Sequence, residues 1–284
     1  MDPLLVTQLL NIAYEVTTLA VVVLGLAIVF GLLGVLNLAH GEFVMIGAYC
    51  AYFTQTQGWP YPAAIPVTLA VCGVLGWAVE RALIRPLYAR PFDTLLATWG
   101  LSLLLREIVE AIYGKGYQNL VVPIHGMVRI AGADYPSYRL LLIVLSVAVV
   151  GGLVLWYVAS RTGTRIKAMV GNPDLARAVG IRVERLARNA FIAGTCLGGL
   201  GGVMLAPLAP VQPFMGLDYI LKAFFVLVVG GLGSLMGLVT GSVIIGGVES
   251  VMSAIFDRTY GYFAVLVLAI LFLWLRPRGI FARS

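Results

Sequence analysis

Long apolar segments constrain this chain more than any other feature of its sequence. The stretch 140–158, for example, contains no charged residue and shows no alternation of apolar and polar side chains. A helix needs about 20 predominantly apolar residues to cross a hydrocarbon core of about 30 Å. A membrane β-barrel would instead show alternating segments of about ten residues. The sequence therefore predicts a membrane protein built from helices.

The composition agrees with this prediction. Hydrophobic residues make up 61% of the 284 residues and charged residues only 11%, against about a quarter charged in soluble domains. No Lys or Arg precedes the first apolar stretch, so it lacks the basic start of a cleaved signal peptide and we expect it to be retained. The three cysteines lie in apolar segments without metal-type spacing, and we interpret them as packing residues. They are Cys50, Cys72 and Cys196.

We predict an all-α, polytopic fold with eight to nine transmembrane or partly spanning helices. Residues 1–284 would form a single membrane domain, because the chain has material for these spans and short loops. The predicted spans cover residues 9–34, 43–57, 62–82, 94–113, 139–158, 189–207, 219–235, 240–256 and 262–276.

Two basic segments predict the orientation, because loops rich in Lys and Arg face the cytoplasm. The first follows the third span. The second, the basic segment at about 160–188, carries seven cations and two anions. This orientation places the N-terminus outside and the C-terminus in the cytoplasm, and makes 114–138 an external loop. Six aromatic residues would then lie near the external interface: Trp59, Tyr61, Tyr113, Tyr117, Tyr135 and Tyr138. The cations are Arg81, Arg85 and Arg90 in the first segment, Arg161, Arg165, Lys167, Arg177, Arg182, Arg185 and Arg188 in the second, and Arg276, Arg278 and Arg283 at the C-terminus.

The net charge is +6, and the cations are mostly concentrated between the spans. Cations in such positions set the topology and contact anionic lipid. We therefore expect membrane lipid as a partner and no nucleic acid.

The segment 37–42 is the first functional candidate. Asn37, His40, Gly41 and Glu42 stand in a stretch of otherwise apolar and small residues, and polar groups at membrane depth usually face a bundle interior or a water-filled cavity. A direct contact with a solute is one interpretation. The other is a short cytoplasmic turn or structural hinge, in which Asn37 caps a helix and His40 and Glu42 are solvated.

A short helix at 171–181, within the basic segment, is the second candidate. Asn172 can cap its N-terminus, Pro173 suits the first helical position, and Gly180 can end it. A capped helix on the cytoplasmic face suits docking to a soluble partner. A loop that only fixes topology or touches lipid is the alternative.

Other features point to packing or exclude chemistry. Small residues four apart, such as Gly198 and Gly202, favour close helix contacts, and Asp218 could pair with Lys222 across one helical turn. The sequence has no GxxxxGK[ST] motif, and its two histidines, His40 and His125, are too distant to suggest a metal site. An intramembrane enzyme using His40 and Glu42 as acid and base is disfavoured, because no nucleophile or metal set accompanies them.

Five motifs resemble the transmembrane permeases of bacterial ABC importers for branched-chain amino acids, together with their relatives for urea and short-chain amides. The resemblance covers nearly the whole chain, and the first and third motifs are the specific ones. The motifs are GLAIVFGLLGVLNLAHGEFVMIGAY at 25–49, ALIRPLYARP at 82–91, RIKAMVGNPDLARAVGI at 165–181, VVGGLGSLMGLVTGSVIIGGVES at 228–250 and PRGIF at 277–281.

The resemblance implies one half of a translocation pathway for a small polar solute, in a bacterial cytoplasmic (inner) membrane. Partners would be a second, different permease, two cytoplasmic ATPases that bind ATP and Mg, and a periplasmic or extracellular solute-binding protein. This chain would hold no cofactor and catalyse no reaction. Five residues would form the helix that couples it to an ATPase: Gly171, Asn172, Ala176, Gly180 and Ile181. A passive channel for urea or another small solute is the alternative function.

Overall fold

A helix lies at each of the nine predicted spans, and two further helices lie in the basic segment. We describe a computed structural model, which covers residues 2–88, 90–276 and 279–281. Four residues of the sequence analysis lie outside these ranges. They are Ala89 and Pro277 of the motifs above, and the predicted cytoplasmic cations Arg278 and Arg283. The helices are α1 (Pro3–Leu33), α2 (His40–Thr56), α3 (Ala64–Val79), α4 (Pro91–Tyr113), α5 (Ser137–Ala159), α6 (Arg161–Gly171), α7 (Pro173–Ala178), α8 (Val183–Leu205), α9 (Met215–Gly230), α10 (Leu235–Ile255) and α11 (Arg258–Leu275).

Short irregular turns extend α3 at both ends. A 3₁₀ turn at Tyr61–Ala63 precedes the helix, and a π turn at Glu80–Ile84 and a 3₁₀ turn at Arg85–Leu87 follow it. The loop between α4 and α5 contains an antiparallel hairpin, β1 (Met127–Ile130) and β2 (Ala133–Pro136), which the sequence analysis did not predict. The other regular elements of the described residues are helical, and the predicted fold class is confirmed.

Five of the described helical segments are long and apolar enough to cross a membrane: α1, the continuous stretch Tyr61–Leu87, α5, α10 and α11. Helices α2 and α9 have only 17 and 16 residues. At 1.5 Å per residue they are about 25 Å long, shorter than a hydrocarbon core of about 30 Å. They fit the prediction of partly spanning helices.

Helix α1 lies at the centre of the bundle and contacts α5, α8, α9 and α10. It runs antiparallel to α10, because Gln8 near its start donates to the Ser250 carbonyl at 3.2 Å while Gly31 near its end packs against Gly233. Residues 18–27 of α1 are all buried. Apolar side chains around the entire circumference of a helix are typical of such a central position.

Glycines let the backbones of neighbouring helices touch. A Cβ atom on Gly47 of α2 would overlap the carbonyl oxygen of Gly199 in α8 and lie 2.7 Å from its Cα atom. A Cβ atom on Gly41 would overlap the carbonyl oxygen of Gly216 in α9 in the same way. Small residues at such crossings allow the close packing that holds membrane helices together.

The aromatic residues predicted at the external interface divide into two groups. Trp59 and Tyr117 are exposed, and Tyr61 and Tyr113 are half-buried. Tyr135 and Tyr138 are instead buried, because their hydroxyl groups donate to Asn11 Oδ1 at 3.0 Å and to the Met204 carbonyl at 3.0 Å. A buried tyrosine is stable where its hydroxyl finds a partner, and these two tie the loop before α5, and α5 itself, to α1 and α8.

We expect Gly47→Ala to destabilise the protein by about 1–3 kcal/mol, because the added methyl group overpacks the contact with Gly199. Thermal unfolding in detergent, followed by size-exclusion chromatography, measures the change. Gly100→Ala in α4 is the matched control, since no atom lies within 4 Å of its added Cβ; there alanine should be neutral or stabilising. Equal melting temperatures for both variants would contradict the proposed packing.

Candidate functional site

Residues 34–39 turn the chain back into the bundle. Gly34, with a φ of 64°, ends α1 and donates to the Phe30 carbonyl at 2.8 Å. At the start of α2, His40 Nε2 lies 2.9 Å from the carbonyl oxygen of Val22. Val22 precedes the last residue of α1, Leu33, by about 16 Å along the helix axis. Helix α2 therefore begins inside the protein and not at the surface.

The predicted site residues of this segment are buried. Asn37 and His40 have no exposed surface, and Glu42 is 1% exposed. The interpretation of 36–42 as a turn with His40 and Glu42 in solvent is therefore wrong. The predicted capping by Asn37 is also wrong, because the N-cap of α2 is Ala39 and it has no side-chain hydrogen bond. The Asn37 Oδ1 instead accepts from the Ala39 backbone N–H at 3.1 Å within the turn.

His40 joins three helices. Its ring fills the space left by two glycines: a Cβ atom on Gly25 of α1 would lie 2.8 Å from the ring atom Cε1, and one on Gly198 of α8 would lie 3.0 Å from it. The ring thus fixes the start of α2 between α1 and α8. Gly41 beside it forms the backbone contact with α9 described above. This geometry favours the structural interpretation of the segment.

Glu42 forms a buried ion pair with Arg106 of α4, a residue that the sequence analysis missed. Its Oε1 accepts from Arg106 Nη2 at 2.6 Å and from the Ser102 hydroxyl at 2.8 Å, and the two charged side chains are 1% and 8% exposed. The Phe214 ring covers the guanidinium at 5.3 Å. Arg106 lies within the predicted span 94–113, and an ionisable residue at membrane depth requires a partner. The need of Arg106 for a partner was the sequence signal that could have predicted this pair.

We expect Arg106→Leu alone to cost about 3–5 kcal/mol of stability, because it leaves the Glu42 carboxylate buried and unpaired. The double variant Glu42→Leu/Arg106→Leu removes both charges and should recover most of this loss. Stabilities from thermal unfolding of the two single variants and the double variant give the coupling energy. Additive losses would show that the pair does not hold α2 to α4.

A polar cavity of about 340 Å³ opens among α1, α5, α8, α9, α10 and α11. It lies toward the N-terminal half of α1 and the C-terminal end of α10. Three cationic and two anionic side chains line it, which is unusual inside a bundle of apolar helices. They are Arg139, Lys222 and Arg258, and Glu15 and Glu249.

The charged side chains of this cavity differ in whether they form an ion pair. Lys222 Nζ lies 2.5 Å from Glu249 Oε1 and 4.6 Å from the centre of the Tyr262 ring. The predicted pairing of Lys222 with Asp218 is therefore wrong, because Glu249 of α10 offers a closer and buried carboxylate. Among the described residues, no cation lies within ion-pair distance of Glu15.

Neighbouring aromatic and amide groups hold the two arginines of the cavity. Arg139 donates to Asn11 Oδ1 at 3.1 Å and lies over the Tyr14 ring. Arg258 donates to the Tyr262 hydroxyl at 3.2 Å. The sequence analysis named none of these cavity residues as a site, because they come from five helices and form no local motif.

A second cavity, of about 470 Å³, is almost entirely apolar. It lies among α1, α5, α6 and α8, near the C-terminal end of α1, and is lined by residues such as Leu24, Leu153 and Ile166. None of Asn37, His40, Gly41 and Glu42 lines either cavity.

The predicted short helix in the basic segment is present as α7. Asn172 caps it by accepting from the backbone N–H groups of Asp174 and Leu175 at 3.1 and 3.0 Å. Gly180, with a φ of 84°, follows its end. Gly171 ends α6, and the Ile181 N–H donates to the Ala176 carbonyl at 3.0 Å.

Ala176 faces inward, contrary to what a contact residue requires. It is 2% exposed and packs with Met169 of α6 and Val183 of α8. Leu175 and Val179 point outward instead and are 62% and 68% exposed. These two exposed apolar side chains, one on α7 and one at its C-cap, form a small contact surface.

Arg177 holds both anions of the basic segment. It lies 2.8 Å from Asp174 and 3.1 Å from Glu184. The backbone N–H of Glu184 and the Arg177 guanidinium together hold the pKa of the Glu184 carboxyl below its ordinary value. The remaining cations of the described segment form no ion pair, so this face of the protein is basic.

Comparison with known proteins identifies the family. Residues 8–275 match the model of the branched-chain amino acid transport system permease component. This chain belongs to that family. It is a permease component and not an enzyme, as the sequence analysis predicted.

Individual relatives agree with this assignment. The high-affinity branched-chain amino acid permease LivH of Escherichia coli K12 is 26% identical, over 94% of this chain and 92% of the relative. The corresponding permease BraD of Pseudomonas aeruginosa is 27% identical, over 97% and 95%. The solved structure of PsaBC from Streptococcus pneumoniae in complex with Fab covers 95% of this chain and 92% of its own, with a TM-score of 0.53 and 12% identity. That likeness shows a shared fold.

Proposed function

We propose that this chain is one of two permease subunits of an ATP-binding cassette importer, driven by separate cytoplasmic ATPases. The observation that carries the proposal is α7, which presents Leu175 and Val179 to solvent on a basic face. Exposed apolar side chains on a short helix suit a groove on a soluble partner. The family assignment names a transport system, and this helix offers the contact through which ATP could drive it.

The contacts of α7 explain how movement would reach the membrane helices. Ala176 packs in one apolar cluster with Met169 and Val183, and Leu32 at the end of α1 and Leu186 of α8 pack against it. A displacement of α7 would therefore move α1 and α8 together, since packed elements shift as units. Alternating access would follow from the movement of these helices relative to the polar cavity.

The partners follow from this role. A second permease, which would be a different chain, would complete the pathway. Two ATPase subunits would bind ATP and Mg, and a periplasmic or extracellular binding protein would deliver the solute. The protein would lie in the bacterial cytoplasmic (inner) membrane with its N-terminus outside. The solute would be a branched-chain amino acid, as the relatives' names suggest, or urea or a short-chain amide.

Leu175→Asp tests the coupling role. We expect the assembled complex, purified and placed in lipid vesicles, to lose at least about 90% of its ATP-dependent uptake, because a carboxylate at this position would have to enter an apolar contact. ATP hydrolysis by the separated ATPases should be unchanged. Uptake of radiolabelled L-leucine and phosphate release are measured in the same vesicles.

Leu175→Met is the control, since it keeps an apolar side chain of similar size at this position and should leave uptake intact. Full uptake by Leu175→Asp would contradict the coupling role. Solute flux through this chain alone, without ATPase subunits, would contradict the importer and favour the passive channel.

A further inference from the structure

We infer that the apolar cavity among α1, α5, α6 and α8 binds an anionic phospholipid, with one acyl chain in the cavity and the phosphate group at the cations of α6. The inference goes beyond the proposed importer, since it concerns the lipid around this chain and not the solute. The cavity holds about 470 Å³, within the range of about 300–1,000 Å³ that small-molecule sites occupy.

The lining of this cavity suits a hydrocarbon chain. No charged side chain lines it, and the only lining side chains with a polar atom are those of Trp156, Tyr157, Thr162 and Asn189. Ala193, near the middle of α8, lines the cavity and is exposed, so a molecule can reach it. A polar solute would find few partners here, whereas an acyl chain would bury apolar surface.

Helix α6 places cations at the edge of this cavity. Its residues Thr162, Ile166 and Val170, four apart, form a stripe that lines the cavity. Successive residues of a helix are about 100° apart around its axis, so the residues next to this stripe in sequence lie at its two edges. The three cations of α6 occupy such positions and are exposed: Arg161, Arg165 and Lys167.

The position of Lys167 shows how close these cations are to the cavity. Its Nζ atom lies 5.1 Å from the centre of the Tyr157 ring, and Tyr157 lines the cavity. The neighbouring Trp156 also lines it and is 48% exposed. Tryptophan and tyrosine side chains concentrate at the level of lipid headgroups. A phosphate group at this level would lie beside Lys167 while its acyl chain continues into the cavity.

No anion of the described basic segment pairs with the cations of α6. The helix itself contains no Asp or Glu, and the two anions that follow it, Asp174 and Glu184, both pair with Arg177. Each Lys or Arg near the membrane surface strengthens the binding of anionic lipid about fivefold. A zwitterionic headgroup carries its own cation and gains less. The charge of α6 therefore favours an anionic phospholipid.

Photolabelling of the assembled complex tests the site. The complex is placed in phosphatidylcholine nanodiscs with a small fraction of a phosphatidylglycerol that carries a diazirine halfway along one acyl chain. After irradiation and proteolysis, mass spectrometry maps the labelled residues. We expect the labelling of residues 186–197 of α8 to exceed that by a phosphatidylcholine probe with the same chains at least about fivefold. Exposed residues of α11, such as Leu266 and Ile270, should be labelled equally by both probes.

Two results would overturn the inference. Equal labelling of residues 186–197 by the two probes would show ordinary boundary lipid. No labelling there by either probe would show that another element, such as the partner permease, fills the cavity. Both results come from the unaltered chain, so they decide even where a variant does not assemble. Labelling needs neither ATP nor solute, and its failure is therefore distinct from a failure of ATP-driven uptake.

A cavity-filling variant locates the acyl chain. Ala193→Phe should abolish the excess labelling by the phosphatidylglycerol probe, because the ring occupies the space of the chain. Ala148→Phe is the matched control, since Ala148 is exposed on α5 and lines neither cavity; it should keep the excess.

Charge variants locate the phosphate group. Lys167→Gln should lower the preference for the phosphatidylglycerol probe about fivefold, whereas Lys167→Arg should keep it. Arg81→Gln removes an exposed cation from the π turn after α3, which lines neither cavity, and should leave the preference unchanged. An undiminished preference in both Ala193→Phe and Lys167→Gln would overturn this placement of the lipid.

Discussion

Charged side chains inside an apolar bundle must find partners within the protein, and this requirement organises the structure around two ion pairs. Glu42 on α2 meets Arg106 on α4 at 2.6 Å, and Lys222 on α9 meets Glu249 on α10 at 2.5 Å. The first pair joins two helices separated in sequence by α3, and the second joins two consecutive helices. In lipid there is no water to solvate an unpaired charge, so the pairs restrict which helices can be neighbours.

Close backbone contacts make these pairs possible. Helix α2 can start deep in the bundle because the glycines of α1, α8 and α9 leave room for its backbone and for the His40 ring. The start of α2 then brings Glu42 to Arg106. Small residues and buried charges thus act together: the former let the helices approach, and the latter fix which residues face each other.

Much of the fold follows from the sequence, because apolar length and charge placement are strong local signals. All nine predicted spans contain a helix, and the caps of α7 follow from Asn172, Pro173 and Gly180. The polar cavity does not follow from the sequence, because its charged residues come from five helices. They are Glu15, Arg139, Lys222, Glu249 and Arg258.

The sequence of a short helix also does not show in which direction each side chain points. Ala176 was predicted as a coupling residue but is buried, whereas the exposed Leu175 and Val179 were not named. Six residues of helix are too few for hydrophobic periodicity to distinguish the inner face from the outer one. The burial of α7 depends on α6 and α8, which only the structure places beside it.

Cross-linking to the ATPase tests the central claim most directly, because it reports contact at α7 and not activity. A cysteine at Leu175 and another at Ala176 are compared in the assembled complex in membranes, with a short thiol-reactive cross-linker. The account predicts an adduct with the ATPase subunit from the Leu175 position and little or none from Ala176. No adduct from Leu175, with the complex intact, would contradict the proposal that α7 couples this permease to ATP hydrolysis.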